Sequence, residues 1–170
     1  GISHGGNERA NLQMFITELC TLLDLPQPDP AGSKRSDNTY VFERSVTELF
    51  ADGGKTTRSL DLYRRGCFIL EGKDTGKQTG SDGWDAAIDK ARQQAENYAR
   101  ALPPEEGRPP FIIVVDVGKS FILYSEFSRS GGNYVAFPDA LGYRIPLEKL
   151  RDADTRELLR KVWLEPLELD

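Results

Sequence analysis

The chain has 170 residues, of which 38% are hydrophobic and 29% are charged, and its formal net charge is −5. This composition is typical of one globular domain with its own core, and no apolar run approaches the roughly 20 residues needed to span a bilayer. The negative charge argues against strong non-specific affinity for nucleic acid by this chain alone.

The first half of the chain predicts one helix and three strands. Residues 1–7 are predicted to be a flexible leader, and they contain the single histidine, His4. A Ser-His-Asp or Cys-His hydrolase would need its histidine in a fixed position, so these classes are set aside. From Glu8 to Leu25, apolar residues recur at the spacing of one helix face. Both cysteines stand in apolar surroundings and predict reduced core residues of a cytoplasmic protein. The predicted strands cover residues 39–50, 56–65 and 67–73.

The second half predicts a loop, two helices and two strands. Residues 74–83 are polar and rich in glycine, which favours a mobile loop. The strongest helix runs from Trp84 to Leu102, where apolar residues step by three or four. Two strands at 111–117 and 120–127 and a short helix at 155–163 follow. The order α-β-β-β-α-β-β plus a C-terminal helix predicts a single α/β domain over residues 8–170, with a central mixed five-stranded sheet flanked by helices.

The second and third strands carry two acids whose spacing indicates a shared site. If the connecting loop is the three residues 65–67, the hairpin register places Asp61 opposite Glu71. Like charges there are destabilising unless a cation lies between them, and Mg²⁺ prefers such oxygen ligands. Lys73 lies on the same face as Glu71. The alternative stays open at this point: both acids could be solvated, and a two-residue loop would shift the register.

Other polar residues flank this pair. Glu8 lies on the apolar stripe of the first helix, although an acid in a first helical turn is also favoured by the helix dipole. Gln94 lies beside the stripe of the second helix. Asp116 ends a strand and is interpreted as a turn residue. A positive rim near the acids is predicted from Arg58, Arg64 and Lys77, and these residues are expected to contact phosphate.

The spacing of the two acids and the lysine resembles the motif of the PD-(D/E)xK nuclease superfamily. Asp61 is followed by nine residues and then by Glu71-Gly72-Lys73, on consecutive predicted strands. Whole blocks, such as "DLYRRGCFILEGK" and "GWDAAIDKARQQAENYARALP", resemble the N-terminal nuclease domain of MmeI-like single-chain restriction-modification enzymes of types IIL and IIG. The resemblance covers nearly the whole chain from Glu8. One departure is Leu60, which stands where the motif's name has proline.

The resemblance implies a restriction-endonuclease-like core and a Mg²⁺-dependent endonuclease, with Mn²⁺ as a possible substitute. Asp61 and Glu71 would bind the metal and Lys73 would be the catalytic lysine. The auxiliary residues that it implies are Glu8, Gln94 and Tyr98. A methyltransferase domain that uses S-adenosylmethionine and a target-recognition domain would follow in the parent chain, with residues 164–170 as the start of the linker. The partner would be double-stranded DNA, with a possible dimer on it and no membrane.

Two other functions stay open. The chain could be a non-catalytic docking domain that retains a nuclease-like fold, although the intact set of acids and lysine speaks against this. It could also be a stand-alone PD-(D/E)xK nuclease of DNA repair or phage defence.

Overall fold

The computed structural model describes residues 4–32, 38–49, 52–130 and 132–170. In these ranges the helices are α1 (His4–Leu22), α2 (Asp82–Ala101) and α3 (Ala153–Leu164). The strands are β1 (Asp29–Pro30), β2 (Tyr40–Leu49), β3 (Lys55–Arg64), β4 (Phe68–Lys73), β5 (Phe111–Asp116), β6 (Ser120–Ser125), β7 (Val135–Ala136) and β8 (Arg144–Pro146). The mixed α/β fold is confirmed, with every predicted helix and strand present in the predicted order. The short strands β1, β7 and β8 were not predicted.

All the described strands belong to one mixed sheet of eight strands, so the prediction of five strands was wrong. Its order is β1-β2-β3-β4-β5-β6-β7, and β8 pairs with β6 beside β7. The pairs β1–β2 and β4–β5 are parallel and the other neighbours are antiparallel. The parallel pair β4–β5 requires a crossover, and α2 supplies it. The helix therefore lies directly behind the strand that carries Glu71.

The N-terminal helix begins earlier than the sequence indicated. Its backbone is helical from His4, within the segment that was expected to be a leader; residues 1–3 lie outside the described residues. It ends at Leu22 because Asp24 adopts a left-handed conformation with φ of 54° and the Leu25 N–H bonds back to the Cys20 carbonyl.

Two hydrophobic cores cover the two faces of the sheet. One joins α1 and α3 to the sheet through residues such as Ile16, Phe68 and Trp163. The other joins α2 to the opposite face through residues such as Trp84 and Ile112. The central strand β5 is buried at every position, as expected for a strand covered on both faces.

The second core contains a buried ion pair. The Arg44 guanidinium donates to both carboxylate oxygens of Glu106 at 2.7 Å, and the Tyr63 hydroxyl donates to the same carboxylate at 2.9 Å. Burial alone would raise the pKa of Glu106, but the hydrogen bonds from Arg44 and Tyr63 and the charge of Arg44 lower it below its ordinary value. The pair fastens the turn after α2 to the β2–β3 hairpin.

Strands β2 and β3 both change face at one position. Leu60 packs in the α2 core and Leu62 in the α1 core, although residues two apart on a regular strand share a face. The β2–β3 ladder pairs Phe42 with Leu62 and Arg44 with Leu60 but omits the pair between them, Glu43 and Asp61. Glu43 has a positive φ of 58°. The irregularity is therefore located at Asp61.

The C-terminal segment folds back onto the domain. After α3 ends at Leu164, a 3₁₀ helix covers Pro166–Leu169, in which Pro166 is buried and Leu169 packs against the α1 core. Residues 164–170, which were expected to begin a linker, therefore belong to this folded layer. Among the described residues, no helix combines the length and the apolar character that a membrane crossing requires.

Candidate active site

The β3–β4 hairpin has the predicted register. Arg64 pairs with Phe68, Tyr63 with Ile69, and Leu62 with Leu70, around the three-residue turn 65–67. Gly66 takes φ of 74°, a left-handed conformation that glycine adopts without a steric penalty, and this closes the turn. The register brings Asp61 and Glu71 to the same end of the two strands.

The backbone ladder stops before these two acids. In place of a backbone pair, the Gly72 N–H donates to Asp61 Oδ2 at 2.8 Å. The Asp61 carboxylate is thus fixed against the strand that carries Glu71. The sequence predicted the juxtaposition of the two acids but not this side-chain bond.

A cavity of about 210 Å³ opens at this point between α1, the sheet and α2. It brings together five of the six residues that the sequence singled out for the reaction: Glu8, Asp61, Glu71, Lys73 and Gln94. The sixth, Tyr98, is buried one helical turn from Gln94 and accepts a hydrogen bond from Gln94 Nε2 at 2.7 Å. Residues from three separate parts of the chain therefore meet at one cavity.

Gly72 allows α1 to approach this cavity. A Cβ atom added to Gly72 would lie 2.6 Å from Leu12 Cδ2 and 2.7 Å from Leu12 Cδ1, closer than real carbon contacts. Leu12 is one helical turn beyond Glu8 and is buried. The absent side chain at Gly72 leaves room for Leu12, one helical turn beyond Glu8, at the paired acids.

The Glu71 carboxyl group is held in an unfavourable environment for a charge. It is 4% exposed, and its Oε1 atom is buried without a hydrogen-bond partner in the described structure. Burial is the main cause that raises the pKa of Glu71 well above its ordinary value, and the charge of Asp61 raises it further, while Lys73 opposes the rise. A buried carboxyl with an unpartnered oxygen beside a second acid is stabilised most directly by a cation.

The donor set fits a hard divalent cation. Two carboxylates supply oxygen ligands, and Mg²⁺ in proteins commonly uses one or two carboxylates and fills its remaining positions with water and substrate phosphate. In the part of the chain that the structure describes, no group of three or more His, Cys, Asp and Glu side chains is placed to hold a metal ion. A cation here would therefore rest on Asp61 and Glu71 with non-protein ligands.

The predicted phosphate contacts are divided by the structure. Arg58 is exposed on β3. It lies near Tyr98: burial and the Glu71 charge raise the pKa of Tyr98, and the charge of Arg58 opposes that rise. Lys77 is exposed in the loop between β4 and α2. Arg64 is the last residue of β3 and lies beside the hairpin turn, whereas Asp61 lies further back along the strand. Its Nε donates to the Trp163 carbonyl at 2.7 Å and its guanidinium lies over the Tyr40 ring, so it holds α3 and does not line the cavity.

Asp116 ends β5 and its carbonyl accepts a hydrogen bond from the Lys119 N–H at 2.9 Å, as expected of a turn residue, but its side chain has a further role that the sequence did not indicate. It is fully buried and accepts hydrogen bonds from the Thr75 N–H at 3.2 Å, Thr75 Oγ1 at 3.0 Å and Trp84 Nε1 at 2.9 Å. These bonds tie the loop after β4 to the start of α2. The hydrogen bonds of Asp116 thus join the end of β4, which carries Lys73, to α2, which carries Gln94.

Arg9 also lines the cavity and was not singled out from the sequence. It has no local signal, because an arginine in the first turns of a helix is ordinarily a solvated residue.

The fold and the cavity together define an α/β domain in which a mixed sheet presents two acids and a lysine at one end. The chain belongs to the family described as the N-terminal domain of MmeI, whose family model matches residues 2–170. The resemblance seen in the sequence is thereby confirmed, and the chain is a restriction-modification enzyme domain. Comparison with curated proteins and with solved structures gives no match.

Proposed function

We propose that this domain is a DNA endonuclease that hydrolyses phosphodiester bonds with a divalent cation, Mg²⁺ or Mn²⁺, bound by Asp61 and Glu71. The observation that carries the proposal is the buried, unpartnered Oε1 atom of Glu71 beside Asp61. When bound, the cation would stabilise the charge that develops on the phosphate oxygens and activate the attacking water.

The two acids are positioned for this task before any ligand arrives. Asp61 is fixed by the Gly72 N–H, and Glu71 is buried against α2, so neither needs to be reorganised when a cation binds. Because the pKa of Glu71 is raised, a proton competes with the cation for its carboxylate, and metal affinity should fall as pH is lowered.

Lys73 supplies the positive charge of the protein next to the acids. Its charge opposes the rise in the pKa of Glu71, and its side chain lines the cavity. In this position it can hold the attacking water or the non-bridging oxygen of the scissile phosphate.

The remaining residues orient the pair. Gln94 is locked by its hydrogen bond to Tyr98, and its side chain lines the cavity on the α2 side. Glu8 lines the α1 side and would assist the same water. We therefore also propose a PD-(D/E)xK core in which Glu8, Gln94 and Tyr98 are auxiliary groups. This assignment rests on the sequence resemblance and on the position of these residues at or beside the cavity.

The proposal extends to the intact protein. There, a methyltransferase domain that uses S-adenosylmethionine and a target-recognition domain would accompany this domain, the substrate would be double-stranded DNA, and two copies would meet on DNA to cut both strands. The acidic charge of −5 agrees with a module that depends on other domains to hold DNA.

The test is cleavage by the intact protein that carries this domain. Asp61→Ala and Lys73→Ala should each abolish Mg²⁺-dependent DNA cleavage and leave DNA methylation at the wild-type level. Arg64→Gln is a matched control, because this residue contacts α3 and not the cavity. Cleavage that persists in both site variants would refute the assignment, and wild-type protein that methylates but never cuts would favour the docking domain.

A further inference from the structure

An ion pair stands at the edge of the candidate active site. Arg9 lines the cavity together with Asp61, Glu71 and Lys73, and its Nε atom lies 2.7 Å from Glu43 Oε1. The Arg9 side chain is 61% exposed, so its guanidinium can meet a ligand that approaches from solvent.

Glu43 occupies a distorted position in the sheet. It stands level with Asp61 at the point where the β2–β3 ladder is interrupted, and its φ of 58° lies in the left-handed region, which is unfavourable for a glutamate. An ion pair with an exposed partner contributes little to stability, less than such a conformation costs. The pair is therefore not explained as a stabilising contact.

Glu43 does not extend the acid pair into a larger metal centre. Within the described residues, no three carboxylates converge in a way that could hold a cation, although Glu43 is level with Asp61 on the neighbouring strand. Its carboxylate instead engages Arg9. The distortion directs the acid toward the helix α1.

The cavity needs positive charge for an anionic substrate. Its lining includes three acids, Glu8, Asp61 and Glu71, against two cations, Lys73 and Arg9. Lys73 stands next to the acid pair, where its charge opposes the rise in the pKa of Glu71. Arg9 is the cation on the α1 side, and its ion pair with Glu43 through Nε leaves the Nη atoms to meet phosphate oxygens.

We propose that Arg9 binds a backbone phosphate of the DNA at the mouth of the cavity, and that Glu43 is the positioning residue that holds Arg9 there. This inference rests on the proposed nuclease function and names the contact on the α1 side of its substrate. Arg9 thus complements Lys73 across the cavity.

The direct test does not depend on cleavage. The chain, labelled with ¹⁵N and kept in Ca²⁺, is titrated with a thymidine dinucleotide that contains one phosphodiester, and the arginine Nε–H signals are followed by NMR. The Arg9 signal, assigned with Arg9→Gln, should shift in a saturable way, and the affinity should fall about tenfold in Arg9→Gln. An Arg9 signal that does not shift would overturn the proposal, whether or not the signals of other cavity residues shift.

Steady-state cleavage by the intact protein supplies the second readout. Arg9→Gln should raise KM about tenfold with a smaller change in kcat, and the salt dependence of binding should weaken by about one phosphate contact. Arg9→Lys should recover part of the loss. Arg151→Gln, an exposed arginine in the 3₁₀ turn before α3, is the matched control and should behave as wild type.

Two variants of Glu43 separate positioning from folding. Glu43→Gln should raise KM less than Arg9→Gln does, and the double variant should be no worse than Arg9→Gln alone, because Glu43 acts through Arg9. Glu43→Gly relieves the left-handed strain, so it should raise KM without lowering the melting temperature. Effects that multiply in the double variant would overturn the positioning role. Wild-type protein that never cuts would instead refute the proposed function, and the NMR titration would still decide the role of Arg9.

Discussion

Replacing Glu71 with glutamine should stabilise the domain when divalent cations are removed by a chelator. In the folded chain the carboxyl is 4% exposed, one of its oxygens has no partner, and Asp61 is close enough to raise its pKa further. Glutamine has the same shape and no charge, and its amide can donate a hydrogen bond to Asp61. The substitution removes the unfavourable charge without opening a cavity.

The size of the gain follows from the group that is relieved. A buried polar atom without a partner costs about 1–3 kcal/mol, and a hydrogen bond to a charged acceptor contributes a similar amount. We therefore expect Glu71→Gln to raise the free energy of unfolding by about 1–3 kcal/mol near pH 8. For a domain of this size, that corresponds to an increase of about 2–12 °C in melting temperature.

The difference in the free energy of unfolding between Glu71→Gln and the wild type should increase with pH and decrease when metal is added. Because the folded-state pKa of Glu71 is raised, the stability associated with its protonated carboxyl is fully present below the ordinary glutamate pKa and is lost as pH rises through the raised value. The difference between the two proteins should therefore vanish in mild acid and reach a plateau at higher pH. Saturating Mn²⁺ should stabilise the wild type, by about 2.7 kcal/mol at one hundred times Kd, and leave Glu71→Gln unchanged.

Thermal and urea unfolding in chelator and in Mn²⁺ measure these differences. The reasoning would be refuted if Glu71→Gln were less stable than the wild type in chelator at every pH. That result would mean that the Glu71 carboxyl already has a stabilising partner and that the acids form a structural cluster.

The remaining predictions concern the frame of the site. Gly72→Ala should lower the free energy of unfolding by about 1–3 kcal/mol in urea titrations, because its Cβ would overlap Leu12, whereas Gly132→Ala, whose added Cβ would meet only ordinary contacts, should have a small effect. Equal effects of the two would show that α1 is not held close by Gly72. Glu106→Gln should cost about 3–5 kcal/mol, because it leaves the buried Arg44 unpaired. The folded-state pKa of Glu106 is lowered, so its contribution to the stability of the wild type should be constant above the ordinary glutamate pKa. That contribution should be lost as pH falls through the lowered pKa, and the variant should not show this loss. A wild-type loss that begins near neutral pH would contradict this assignment.

Local rules in the sequence predicted the hairpin and the helices. Loop length determines hairpin register, so a three-residue turn around Gly66 predicted Asp61 level with Glu71, and the structure has this turn. The apolar steps along α2 likewise predicted which of its faces meets the sheet, and with it the location of Gln94. These features depend on residues that are close in the chain.

The features that the sequence did not reveal depend on distant partners. Arg64 was expected at the rim of the site, but its Nε bonds to the carbonyl of Trp163, 99 residues away. Arg44 is buried by an acid 62 residues away, and Asp116 by donors from a loop and a helix start. Strand alternation also fails at Glu43, where a left-handed residue reverses the faces of β2, and no neighbouring residue type signals this change.

The central claim is that Asp61 and Glu71 share one divalent cation. A crystal of this chain soaked in Mn²⁺ and measured at the manganese absorption edge tests it most directly. The account predicts one anomalous peak between the two carboxylates, about 2.1 Å from an oxygen of each, and no peak there in Glu71→Gln. A wild-type crystal that shows no manganese between Asp61 and Glu71, with the two acids still in contact, would contradict it.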